Sequence, residues 1–179
     1  YNGNGPGCKH PEARKAQKGG KSSDPNEKVG VDGTGDGHFI QTDRTLSYQI
    51  FFENKSQATA AAQEVTITDT LDLSVVDLET LTFGPISFGD TTFVPLEGSM
   101  GIDGTVDLRP VQNLIVHVKT EVDEATGEVV WTLRSVDADT GEFPDDPDAG
   151  FLPPNKTSPE GEGSVYYWVE PRRDAQTGQ

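Results

Sequence analysis

From residue 46 onward the chain alternates apolar and polar side chains. In TLSYQIFFEN, Leu46, Tyr48, Ile50 and Phe52 share one face, while Ser47, Gln49, Phe51 and Glu53 share the other. A period of two is that of a strand half buried against a core. EVTITDTL repeats it, with Val65 and Ile67 opposed to Thr66 and Thr68. In QNLIVHVKTEVD, Leu114, Val116 and Val118 oppose Ile115, His117 and Lys119, which places His117 on the solvent face. EATGE reads as a hairpin turn and EVVWTLRSVD as its returning strand. HFIQT, LTFGPISF, TTFVP, GTVDLR and GSVYYWVEP complete the set, with Pro85 and Pro95 marking edges or bends. Few windows carry the i, i+3, i+4, i+7 spacing of a helix. About eight strands at this spacing predict an all-β chain folded as an antiparallel β-sandwich.

Composition sharpens the boundaries. The chain has 179 residues, is only 32% hydrophobic, and carries Gly 20 and Pro 12, which suits a loop-rich β protein. Residues 1–37 are rich in Gly, Ser, Pro, Asn and Lys and read as a flexible arm or linker, leaving 38–179 as the sandwich domain. The formal net charge is −16; residues 1–28 hold six basic and three acidic side chains, so the remainder carries −19. Such a body repels nucleic acid and anionic membrane. No apolar run is long enough to span a membrane, and no signal peptide opens the chain, which starts on Tyr1 as an excised or processed piece would. The one cysteine, Cys8, lies in the basic arm and allows no intrachain disulfide.

Y-x-I-x-F-x-N, a small-residue link and V-x-I-x-D-x-L occupy Tyr48, Ile50, Phe52, Asn54, Ala62, Val65, Ile67, Asp69 and Leu71. This segment resembles the repeat domains of large bacterial surface and secreted proteins known as "domain of unknown function eleven" and relatives. A variant of that group looks closer still, through DPN-x-K (Asp24 to Lys28), TGEVVWTLRSVDADTG, DPDAGFLPPN and GEGSVYYWV. The resemblance spans roughly residues 24–179. It implies an immunoglobulin-like sandwich, extracellular or on the cell surface, with neighbouring domains or copies of the same protein as partners. In such domains a further strand follows the DAQTG-like turn, just where this chain stops at Gln179. That strand is therefore expected to be cut away or donated by a neighbour.

Candidate chemistry centres on carboxylates. Asp137, Asp139 and Glu142 in DADTGE, with Asp145, Asp146 and Asp148 behind them, form a calcium candidate, because Ca²⁺ takes six to eight oxygens and alternating acids on a Gly-containing loop supply several. Asp32 and Asp36 in VDGTGDG form a second cradle. The competing explanation is that Asp, Gly and Pro gather in turns for backbone reasons. No pair of acids stands out for glycoside hydrolysis, and His10, His38 and His117 with Cys8 lack zinc-ligand spacing. Trp131, Tyr166, Tyr167 and Trp168 lie on strands, where alternate rings should fill the core and the others could stack on sugars. Surface sandwiches of this kind sometimes join a Lys to an Asn or Asp, and Lys55 and Lys119 are candidates for such an isopeptide bond. Asn54-Lys55-Ser56 and Asn155-Lys156-Thr157 match glycosylation sequons. The expectation is a non-enzymatic structural, adhesion or assembly unit, stiffened by calcium and polymerising by strand donation. The alternative is a carbohydrate-binding accessory domain that takes glycans as partners.

Overall fold

A computed structural model describes residues 27–31 and 44–174. Nine strands and no helix appear among these residues: β1 (Glu27–Val29), β2 (Leu46–Glu53), β3 (Glu64–Thr70), β4 (Val76–Phe88), β5 (Thr91–Phe93), β6 (Asp103–Asp107), β7 (Leu114–Asp123), β8 (Glu128–Asp137) and β9 (Glu162–Pro171). They form two antiparallel sheets, β1-β2-β9-β4-β5 and β3-β8-β7-β6, stacked as a β-sandwich. HFIQT, read as a strand, lies outside the described residues. β1 lies within the stretch that composition reads as an arm, and it pairs Glu27, Lys28 and Val29 with Phe51, Ile50 and Gln49 of β2.

The alternation read from sequence is what fills the interior. Leu46, Ile50 and Phe52 of β2 and Leu114, Val116 and Val118 of β7 are buried, while His117 faces solvent. β8 and β9 each contribute every second residue: Val129, Trp131 and Leu133 from one, Val165, Tyr167 and Val169 from the other. Trp131 anchors the layer between the sheets. Phe83 of β4 meets it edge-on at 5.6 Å between ring centroids, and Tyr167 lies against it at 5.7 Å. Of the four strand aromatics named above, Trp131 and Tyr167 are buried, and Tyr166 and Trp168 turn to the outer face.

β4 is one long strand where the sequence suggests short pieces. Phe83 and Ile86 both point inward although they are three residues apart. The ladder to β9 absorbs the extra residue through a register shift between them, where Gly84 and Pro85 sit. A second close fit occurs at Gly163 in β9. A Cβ there would lie 2.2 Å from the Phe52 ring, so the missing side chain makes room for that ring. In the β7–β8 turn, Gly127 adopts φ +75°, and its carbonyl accepts the Leu71 N–H at 2.9 Å.

Side chains bridge the two sheets at both flanks of the sandwich. On one, Phe93 of β5 covers Gly104 of β6, where a Cβ would sit 2.7 Å from its ring. On the other, β1 stands over β3, and Lys28 Nζ donates to Asp69 Oδ2 at 2.7 Å across the gap between sheets.

Candidate functional site

Lys28 pairs with Ile50 in the ladder and therefore shares its inward face. An inward lysine on an edge strand needs a charge partner and an apolar stem environment. It has both. The ammonium stands 4.5 Å from the centre of the Tyr48 ring and 5.6 Å from that of Tyr167, a cation–π arrangement added to the ion pair. Tyr48 and Tyr167 stack at 5.0 Å with 23° between their planes. The Tyr167 hydroxyl donates to the same Asp69 Oδ2 at 2.6 Å. Burial first, then that bond, pushes the Tyr167 phenol far above its ordinary range. Tyr48 is raised as well, by burial and then by the Asp69 charge. Lys28, Tyr48, Asp69 and Tyr167 thus form a latch between the sheets.

At the far end of β2, Asn54 is 2% exposed. Its amide donates to the Ala60 carbonyl at 3.1 Å and the Leu152 carbonyl at 2.9 Å, and its backbone joins Gly161 and Asn155. Asn54 ties together the two loops at that end, so in the folded chain its amide is not open to a glycan. Asn155 is likewise engaged, donating to Glu53 at 2.7 Å and Glu162 at 2.9 Å.

The acidic loop lines an open cleft of about 1010 Å³ that includes Asp137, Glu142, Asp145, Asp146 and Asp148. Two of its carboxylates, Asp137 and Asp146, are turned to their own backbone. Asp137 Oδ1 accepts the Thr140 and Asp139 N–H groups at 2.9 and 3.0 Å, and these bonds, Thr140 first, lower its pKa. Asn113 donates to both Asp137 and Asp139, at 3.3 and 2.8 Å. Asp146 accepts from the Asp148 N–H at 2.9 Å, and Glu142 gives its backbone carbonyl to Asp137 N. Among the described residues no three His, Cys, Asp or Glu side chains gather as a metal would require. Asp32 and Asp36 lie outside the described residues. The turn-forming explanation therefore accounts for what Asp137 and Asp146 do, while Asp139 is held by Asn113.

A second pocket, about 500 Å³, opens on the outer face of the five-stranded sheet beside Trp168, Thr45, Thr82, Leu96 and Glu97. The Trp168 ring lies against Gly84, where a Cβ would come within 2.5 Å. Of the lysines considered for a covalent bond, Lys119 pairs with Glu121 of its own strand at 2.8 Å, and Lys55 sits in the turn leaving β2, where its carbonyl accepts from Ala58. The lysine set against a carboxylate of the opposite sheet is Lys28. Its signal in the sequence was the DPN-x-K motif, and that of Asp69 the V-x-I-x-D-x-L motif.

A family model described as a domain of unknown function (DUF7619) matches residues 24–95. That span takes in both motifs and hence Lys28, Tyr48 and Asp69. No curated protein and no solved structure shows a match. No helix among the described residues is long and apolar enough to cross a membrane.

Proposed function

We propose that this chain is a non-enzymatic structural unit, a mechanical spacer and assembly element of a secreted or cell-surface bacterial protein. The observation that carries this reading is the path of the backbone. β1 runs antiparallel to β2, and β2 antiparallel to β9, so β1 and β9 point the same way. The chain enters β1 at Glu27, level with Phe51 and Ser164, and leaves β9 at Pro171, beyond the level of Leu46. Entry and exit lie at opposite poles. Tension between them shears the β1–β2 and β2–β9 ladders along their length, with the Lys28–Asp69 latch loaded across the sheets. That is the arrangement a spacer needs. The placement outside the cell rests on the resemblance of Tyr48 to Leu71 to surface-protein repeats.

Single-molecule extension tests the reading by comparing two pulling geometries. Handles at residues 27 and 174 load the ladders in shear, whereas handles at 44 and 174 emerge at one pole and peel β2 from β9 bond by bond. The first geometry should unfold at clearly higher force. Equal forces would remove the mechanical argument.

A second reading, a neutral-glycan binding accessory domain, is favoured by Trp168, an aromatic ring on the outer face beside a pocket with hydroxyl and carboxylate groups on its rim. Retardation on neutral polysaccharide gels, abolished by Trp168→Ala, would establish it. Migration unaffected by the polysaccharide would exclude it.

A further inference from the structure

The four flank strands differ in how well they are guarded. β1 and β5 have three residues each, and β6 exposes Asp103 and Asp107. β3 is the longest, with seven residues rich in threonine. Its hydrogen-bonding parity can be read from the ladder ends. Ser135 N–H donates to Gln63 O at 2.8 Å and Leu71 N–H to Gly127 O at 2.9 Å, in the same register as the Glu64–Thr70 pairing with β8. Odd-numbered residues therefore turn their peptide groups to β8, and Glu64, Thr66, Thr68 and Thr70 turn theirs away. Asp69 Oδ1 caps the Thr70 N–H at 3.0 Å. The N–H groups of Glu64, Thr66 and Thr68 have no partner among the described residues. Donors and acceptors repeating every second residue along a straight edge are matched by another strand.

We propose that the open edge of β3 receives a β-strand from a partner polypeptide. This deepens the assembly reading above and rests on it. The side chains beneath the edge define the guest. Its inward positions would stand opposite Val65 and Ile67 and near the half-buried Tyr48, which calls for apolar residues. Beside Asp69 they meet the Lys28 ammonium, which has N–H donors beyond the one given to Asp69 and calls for an oxygen acceptor such as an asparagine amide. A second copy of this chain is disfavoured as the guest, because two bodies each carrying a large negative charge repel. A strand with basic flanks fits instead.

The capped heptapeptide KNTVTVK embodies these features. Antiparallel to β3, it sets its asparagine beside Asp69 and Lys28, its valines opposite Ile67 and Val65, and its threonine N–H groups toward the outward-turned carbonyls of Thr66 and Thr68. Fluorescence anisotropy with a labelled peptide and the intact chain should show saturable one-to-one binding. N-methylation at the two threonines should weaken it by about tenfold or more, and at the two valines by no more than about twofold. Exchanging the asparagine for valine should cost affinity with the native chain but not with Lys28→Met. Hydrogen exchange of the free chain should find the Thr66 and Thr68 amides fast and those of Val65 and Ile67 slow. Absence of binding, indifference to the position of N-methylation, or protected Thr66 and Thr68 amides would each overturn the proposal. The pulling comparison above is independent of the peptide, so the spacer reading can survive that outcome.

Discussion

Replacing Tyr167 with phenylalanine isolates one element of the latch. The ring is fully buried and held on two sides, by Tyr48 at 5.0 Å and Trp131 at 5.7 Å, so phenylalanine keeps the packing and loses only the hydroxyl. The lost interaction is a 2.6 Å bond to a carboxylate. A hydrogen bond to a charged group is worth about 1.5–3 kcal/mol. That figure is discounted because Asp69 keeps its bond to Lys28 and its side chain is 13% exposed to water. The expected cost is about 1–2 kcal/mol, or about 2–8 °C in Tm for a chain of this size. Urea denaturation followed by tryptophan fluorescence measures it, with the midpoint falling and the slope unchanged. Adding Asp69→Asn closes a double-mutant cycle in which the pair should couple by about 1 kcal/mol. A pH series adds a second readout. The unfolded phenol ionises near about pH 10, whereas burial and Asp69 hold the folded one protonated well above that. The contribution is complete below about pH 10 and is lost as pH rises through the alkaline range; Tyr167→Phe should flatten this decline, leaving the smaller part due to Tyr48. A variant as stable as the native chain, or one with no coupling to Asp69, would refute the latch as a stabilising element.

Other outcomes follow from the packing. Gly163→Ala drives a methyl group into the Phe52 ring and within 2.8 Å of the Ser87 carbonyl, and should destabilise by about 1–3 kcal/mol in the same urea assay. Asn54→Ala removes the side-chain donor to the Ala60 and Leu152 carbonyls, the latter keeping the Ala62 N–H; a loss of about 1–3 kcal/mol is expected, with faster exchange confined to the loops following β2 and preceding β9. One millimolar calcium should leave Tm where a chelator puts it, since the acidic loop spends carboxylate oxygens on its own turns. A site with Kd near 10 μM would instead add about 2.7 kcal/mol, easily seen by calorimetry.

Much of the architecture was legible because the interior is built on a period of two. Each alternating run within the described residues maps onto a strand, and the turn at Gly127 lies where the sequence places it. β4 was harder, since Gly84 and Pro85 look like an interruption and the bulge that accommodates them depends on pairing with β9. β1 was invisible to pattern, since three residues have no period; what holds Glu27–Val29 is a neighbour in space, not its own side chains. The latch was hidden for a related reason. Lys28 and Asp69 are 41 residues apart, and Tyr167 follows Asp69 by 98. Nothing local in the sequence announces that these side chains converge. Conversely, the acids from Asp137 to Asp148 crowd together in sequence, yet the backbone of their own loop uses Asp137 and Asp146.

The depth at which Asn54 is set has a practical side. Its sequon is hidden in the finished fold but open while the nascent chain is still extended. In a eukaryotic secretory host, an oligosaccharide added at that moment would occupy the space where two loops must close, and the chain would stall before reaching its native state. Production in such a host therefore calls for Ser56→Ala, which erases the acceptor signal while leaving the amide at residue 54 free to do its work.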